Sequence, residues 1–165
     1  MKKVLILSDT HAHFDAGMEK YARNVDEIWH AGDIGSLEVL QKLQSCAPVV
    51  RAVYGNVDSQ EIRVLTHKIL TFESEDVRVL ITHICGYPPK YMPDVVKEIA
   101  KYQPTIVVGG HSHILKVMPD TKRNLLYINP GAIGSQGFHS VRTMLLLTLH
   151  AGKAQSMQVI EYERK

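Results

Sequence analysis

Cysteine is scarce in this 165-residue chain: Cys46 and Cys85 are the whole complement, and they form no CxxC pair. That excludes a disulfide framework and suits a reducing cytosol. Long apolar runs are also missing. Val4 to Leu7, behind Met1-Lys2-Lys3, imitates the start of a signal peptide but ends too soon, and cleavage after it would discard Asp9 and His11. Met144 to Leu149 falls far short of the ~18 apolar residues of a membrane helix. Nor does one sign of charge dominate: 19 Lys+Arg against 17 Asp+Glu leave +2. Lys122-Arg123-Asn124 is too short for a nucleic-acid patch. There is no repeat, low-complexity segment or linker. The expectation is a cytoplasmic protein with neither membrane nor nucleic acid as partner. A homo-oligomer stays open, since nothing fixes an interface.

What is present is ordinary in bulk and specific in detail. The 45% hydrophobic and 22% charged fractions suit one globular domain over residues 1–165. Val4-Leu5-Ile6-Leu7 reads as a strand covered on both faces. A helix follows over about 15–24, with Met18, Tyr21 and Ala22 on one face. Glu27 to His30 is a second strand. Ser36 caps a helix through about Ser45 with a Leu37, Leu40, Leu43 stripe. Val49 to Tyr54 is a third strand.

The middle is less regular. Arg63 to Phe72 reads as one or two strands, with a hairpin to Val77–Thr82 across the Glu73–Asp76 turn. Gly86 to Lys90 reads as loop. A helix over about Pro93–Tyr102 turns Val95, Val96, Ile99 and Ala100 inward. Thr105 to Val108 is a strand, and from Leu115 onward the pattern is almost all β, with Leu125–Ile128, Thr143–Leu149 and Gln155–Tyr162. This is an α/β unit with a β-rich second half.

The chemistry lies in how the strands end. Five apolar runs stop, within a few residues, at Asp9/His11, Asp33, Asn56, His83 and His111/His113. Open α/β sheets bind ligands beyond the carboxyl ends of their strands, so these side chains are expected to meet at one rim. In His111-Ser112-His113 the two imidazoles, two residues apart on an extended segment, point the same way. Gly32, Gly55, Gly109 and Gly110 beside them suit close backbone approach. Four imidazoles, two carboxylates and one amide, with no thiolate, suit a catalytic first-row metal site rather than closed structural zinc. Asp9 and Asp33 bring minus two against plus four from two divalent ions. The remainder of about plus two attracts a phosphate.

In these blocks the chain resembles the calcineurin-like metallophosphoesterases, whose signature is D-x-H, G-D, G-N, H and G-H-x-H in that order. Here they are Asp9-Thr10-His11, Gly32-Asp33, Gly55-Asn56, His83 and Gly110-His111-Ser112-His113. The short length resembles the small prokaryotic phosphodiesterase branch. The resemblance implies a four-layer α/β/β/α sandwich of two packed mixed sheets flanked by helices. It assigns Asp9, His11, Asp33 and His113 to one metal ion and Asp33, Asn56, His83 and His111 to the other, with Asp33 bridging. It implies two divalent ions, manganese first, with nickel, iron, cobalt or zinc as alternatives. A hydroxide between them would cleave a small phosphodiester, with Asp33, Asn56 and His111 as the catalytic residues. A phosphomonoesterase and a non-catalytic protein-binding scaffold of the same fold are the alternatives.

The chain departs from the pattern at Val57, where many members carry a His thought to protonate the leaving group, and at Ile34-Gly35, where a polar residue usually follows. Without that acid, worth typically 10²–10⁴-fold, substrates with good leaving groups such as aryl esters are expected. The other candidates have bland readings beside functional ones. His13 reads as an exposed loop residue or a substitute proton donor. His30 reads as a core histidine or an orienter of Asp33, Asp58 as a turn residue or a support of the ligands, and Cys85 as packing. His139 and Arg142 read as ordinary surface loop or as a substrate-binding loop that returns to the site. Tyr87 to Tyr91 reads as a rigid connection or as a cover for the cleft with Lys90 attracting phosphate, and His67 and His150 carry no claim.

Overall fold

The computed structural model describes residues 1–164. In chain order the elements are β1 (Lys2–Leu7), α1 (Ala16–Ala22), β2 (Glu27–His30), α2 (Leu37–Cys46), β3 (Val49–Ala52), α3 (Gln60–Leu65), β4 (Ile69–Ser74) and β5 (Val77–Thr82). Then come β6 (Gly86–Tyr87), β7 (Lys90–Tyr91), α4 (Pro93–Tyr102), β8 (Ile106–Val108), β9 (Leu115–Asp120), β10 (Leu125–Pro130), β11 (Val141–His150) and β12 (Lys153–Glu163). They build two five-stranded sheets, ordered β12-β11-β1-β2-β3 and β4-β5-β8-β10-β9. β1, β2 and β3 run parallel in the first sheet, and β5, β8 and β10 in the second. β11 pairs antiparallel with β1, β12 with β11, β4 with β5 and β9 with β10, which completes the two sheets, while β6 and β7 form a separate two-stranded one.

Side chains alternate across a strand, and that alternation sorts the core into three slabs. Val4 and Ile6 of β1, with Leu145 and Leu147 of β11, meet Val79, Ile81, Ile106, Val108 and Ile128 between the sheets. Leu5 and Leu7 point the other way, onto Met18 and Ala22 of α1 and Val39, Leu40 and Leu43 of α2. On the outer face of the second sheet, Leu80, Val107 and Tyr127 pack on Val95 and Ile99 of α4. The result is a helix–sheet–sheet–helix sandwich, as expected. Its helices start where the chemistry allows. Asp15 accepts from the Met18 amide at 2.9 Å, Ser36 Oγ accepts from the Val39 amide at 3.3 Å, and α4 opens on Pro93.

Two local expectations are corrected. Residues 63–65 belong to α3, not to a strand; its buried Ile62 joins the core beneath α1 and α2. The stretch from Gly86 is not all loop, because β6 and β7 pair as a two-residue hairpin. No helix among the described residues is long and apolar enough to cross a membrane.

At the amino-terminal end of β2 the two sheets are tied by a polar knot. Glu27, 2% exposed, accepts from Lys2 Nζ at 2.8 Å, Trp29 Nε1 at 2.9 Å and Ser74 Oγ at 2.9 Å. Arg51 lies 3.6 Å away and stacks its guanidinium on Phe72 at 4.3 Å. Burial raises the Glu27 pKa, but the hydrogen bonds from Lys2, Trp29 and Ser74 outweigh it and hold the carboxyl below its ordinary value.

Candidate metal centre

The carboxyl ends of the parallel strands open on one rim, and all seven sequence-selected side chains stand there. Asp9 and His11 follow β1, Asp33 follows β2, Asn56 follows β3, His83 follows β5, and His111 and His113 follow β8. The backbone turns sharply to deliver them. Asp9, His11, Asp33, His111 and His113 have φ of 54°, 45°, 54°, 71° and 62°, in the left-handed region that non-glycine residues avoid. Such residues persist where the surroundings over-determine them, and they concentrate at functional sites. Gly55 is required for the approach of β2 to β3: a Cβ there would collide with the Asp33 carboxylate.

The ligand atoms fall into two groups. Asp9, His11 and His113 form one and Asp33, His83 and His111 the other; within each, one atom per residue lies within 4.8 Å of the rest. Asn56 joins the second through Oδ1, 3.1 Å from His83 Nε2. Asp33 Oδ2 stands 3.1 Å from His83 Nε2 and 3.8 Å from His11 Nε2, so it faces both groups.

The polar bookkeeping of this rim fits a cation. Asp9 is fully buried; its Oδ2 accepts from Ser8 Oγ at 2.6 Å and from the His111 amide at 3.1 Å. Its Oδ1 makes no hydrogen bond, although His113 Nε2 lies at 3.1 Å. His11 Nε2 and His113 Nε2 are 3.4 Å apart. His83 Nδ1 donates to the Ala31 carbonyl at 2.7 Å, so in the neutral ring Nε2 turns a lone pair toward Asp33 Oδ2 and Asn56 Oδ1. Acceptors facing acceptors, in a buried site, ask for positive charge between them.

Protonation reports the same demand. Burial raises the Asp9 pKa, but the imidazoles of His11 and His113 more than reverse it, and the carboxyl stays ionised far below the usual range. The Asp9 carboxylate raises His11, with Asp33 adding to it. Burial works against a proton on His83, yet Asp33 and Asp9 raise that group too.

The surroundings hold these loops in place. Asp58 accepts from the amides of Ile34 at 3.1 Å, Gly35 at 2.8 Å and Gly55 at 2.8 Å, clamping the Asp33 turn to the Asn56 turn. Arg63, on α3, donates to the carbonyls of Asp58 at 2.9 Å and Asn56 at 3.3 Å. Asn129, near the end of β10, donates to Gly110 O at 3.0 Å and Ser112 Oγ at 3.1 Å and so braces the His111–His113 segment. His30 does not touch Asp33; it is a core histidine between Thr10 Oγ1 and the Gly32 amide, both at 3.0 Å, and burial pushes its pKa down to about 4. His13 turns to Asp15 at 2.8 Å, and Arg142 holds the same carboxylate at 2.8 Å. Cys85 is buried packing, its thiol pushed up to about 12 by desolvation.

Of the two readings of His139, the loop that returns to the site is the one that fits. His139 lies 3.3 Å from His113 and lines the cleft with Phe138. That cleft, of about 530 Å³, is floored by His11, Asp33, Asn56, His111 and His113. The one signal in the sequence was a histidine in a Gly- and Ser-rich loop, which spacing alone does not connect to His113.

Fold and rim together define a metallophosphoesterase-type α/β sandwich. The chain belongs to the calcineurin-like phosphoesterase superfamily, whose domain model matches residues 1–152. A probable metallophosphoesterase of Methanothermobacter thermautotrophicus is 30% identical over 139 residues, covering 77% of this chain and 74% of that protein. A phosphodiesterase of Methanocaldococcus jannaschii is 27% identical over 146 residues, covering 78% and 82%. Among solved structures, Vps29 of Chaetomium thermophilum superposes with a TM-score of 0.75 at 13% identity, covering 99% of this chain and 98% of that one. An archaeal phosphodiesterase superposes with a TM-score of 0.74 at 22% identity, covering 97% and 99%. At such identities these two likenesses speak for the fold alone.

Proposed function

We propose that the protein is a phosphodiesterase that works with two divalent metal ions, manganese foremost. Asp9, His11, Asp33 and His113 would hold one ion and Asp33, Asn56, His83 and His111 the other. The observation that carries this reading is the pair of ligand groups on either side of Asp33, with the unpartnered Asp9 oxygen buried in one of them. Two such ions supply charge stabilisation at phosphorus and an activated water for in-line displacement.

The chain's own residues do the rest. Asp33 faces both groups and sets their separation. Asn56, exposed at the cleft, offers an amide to a phosphate oxygen, and His111 borders the same space. Val57, 58% exposed beside Asn56, has no proton to give a departing oxygen. The substrate therefore needs a leaving group of low basicity. The cleft wall suits one: Phe138 and Ile114 stand exposed on it, an apolar face for an aryl ester arm. The free thiols Cys46 and Cys85 fit a reducing cytoplasm.

Purified protein loaded with manganese should hydrolyse a bis-aryl phosphodiester faster than an aryl phosphomonoester. Monoester cleaved faster makes it a phosphomonoesterase instead. No turnover of either with manganese, nickel, cobalt, iron or zinc ends the enzymatic reading and leaves the scaffold alternative.

A further inference from the structure

The two sides of the rim are backed differently. On the Asp33 side, His83 is fixed by a main-chain carbonyl, that of Ala31 at 2.7 Å. On the Asp9 side, the inner nitrogen of His113 meets another side chain, Nδ1 of His139, at 3.3 Å. We infer that His139 is a positioning residue that fixes His113 in the tautomer whose Nε2 is free for the ion on the Asp9 side. The inference rests on the rim being a metal centre, and it goes beyond that reading to a residue outside the seven ligands.

The proton positions follow from one carbonyl. His139 Nε2 lies 2.8 Å from the Gly134 carbonyl, which can only accept, so Nε2 carries the hydrogen. Nδ1 of a neutral His139 ring is then an acceptor. The group facing it, His113 Nδ1, has to donate. That leaves the lone pair of His113 on Nε2, the atom 3.1 Å from Asp9 Oδ1 and 3.4 Å from His11 Nε2. The ring centroids are 5.1 Å apart and the planes lie at 79°.

A second observation shows that the loop is shaped to this contact. Gly137 has φ of +123°, and a Cβ on it would collide with His113 Nδ1 and crowd His139 Nδ1. With both ring nitrogens engaged, His139 has no proton to offer a substrate, although it lines the cleft. Histidine ligands ordinarily take this support from a carboxylate, a backbone carbonyl or a water, and its loss typically costs 10–100-fold in metal affinity.

The test is calorimetric titration of metal-free protein with manganese, for the wild type, His139→Ala and His139→Asn. The wild type should bind two ions. His139→Ala should bind one of them about 10–100-fold more weakly and the other unchanged. His139→Asn, whose amide oxygen can accept from His113 Nδ1, should recover most of the loss. Nitrogen-15 NMR of the wild-type ring should show the His113 proton on Nδ1, a readout that survives even if the variants misfold. Wild-type affinity at both sites in His139→Ala overturns the inference. So does equal weakening of both ions, failure of His139→Asn to recover, or a wild-type His113 protonated on Nε2. A wild type that binds both ions and cleaves no phosphoester refutes the proposed activity and leaves His139 its role; one that binds fewer than two refutes both.

Discussion

Asp9, just past the end of β1, and Glu27, at the start of the neighbouring β2, are buried carboxylates, 0% and 2% exposed, yet their surroundings are opposite in kind. Glu27 sits among donors drawn from both sheets, each oxygen occupied, at the end of the sandwich where β2 begins. Asp9 sits where β1 ends, with one oxygen unpartnered and three imidazole nitrogens within 3.9 Å of it. A satisfied buried charge holds a fold together; an unsatisfied one, ringed by ligand atoms, waits for a cation. The left-handed turns at Asp9, His11, Asp33, His111 and His113 each cost on the order of 1–3 kcal/mol, and they cluster at the rim. One end of the sandwich is complete in its hydrogen bonds, and the other leaves a buried oxygen for a cation to complete.

The largest effect that follows is at Asp33, which faces both ligand groups. Asp33→Ala should lower phosphodiester turnover by more than the roughly hundredfold loss typical of a metal site's outer supports. Metal-free, the variant should lose only about 1–3 kcal/mol, because Asp33 accepts from the Val57 amide and supports a proton on His83. Manganese at a hundred times its Kd should add about 2.7 kcal/mol to the wild type and little to the variant, read as a shift in Tm. A metal-free variant that loses several kcal/mol would mean that the rim, too, is scaffolding, and the contrast with Glu27 would fail.

Glu27→Gln is the complementary experiment and the next in size. The amide keeps one acceptor and turns a donor toward Lys2, Trp29 or Ser74, so stability should fall by about 1–3 kcal/mol in urea unfolding. Turnover by the folded fraction should not change, because Glu27 has no part in the rim. A variant as stable as the wild type but with altered kcat would invert the assignment of the two ends.

Why the rim was legible in the sequence and the knot was not is a matter of distance along the chain. Each ligand stands within a few residues of an apolar run's end, so strand reading and chemistry coincide at Asp33 or His83. The knot joins Lys2, Glu27, Arg51 and Ser74, which share no local pattern and meet only once two sheets have packed. The same reason hid His139: its partner His113 lies across a loop and a sheet, and only tertiary packing brings them to 3.3 Å. The four layers came from the family resemblance; hydrophobic patterning alone marked Val4–Leu7 and Val77–Thr82 as strands. That patterning failed at α3, where Gln60 to Leu65 is too short to display a helical period and its Ile, Val and Leu imitate a strand. That misreading mattered, because α3 carries Arg63 to the Asn56 turn.

The smallest effect is in the pH dependence of metal-free stability, where the two ends differ in their histidines. Glu27 titrates below its ordinary value when folded, so its stabilisation is complete above about 4.5 and is lost as pH falls through the lower folded value. His11 and His83 titrate above their ordinary 6.5 when folded, so theirs is complete below that value and is lost as pH rises through the higher one. The melting temperature in a chelator should therefore fall on two limbs, an acid limb that Glu27 shares with Asp9, Asp15 and Asp33, and a limb above neutrality that belongs to the rim histidines. Glu27→Gln should make the first shallower and leave the second unchanged. Manganese should abolish the second, because the ions take the place of the protons, and metal affinity should itself climb with pH as those protons leave. If the limb above neutrality survives saturating metal, His11 and His83 are not giving up their protons to ions, and the rim is as structural as the knot.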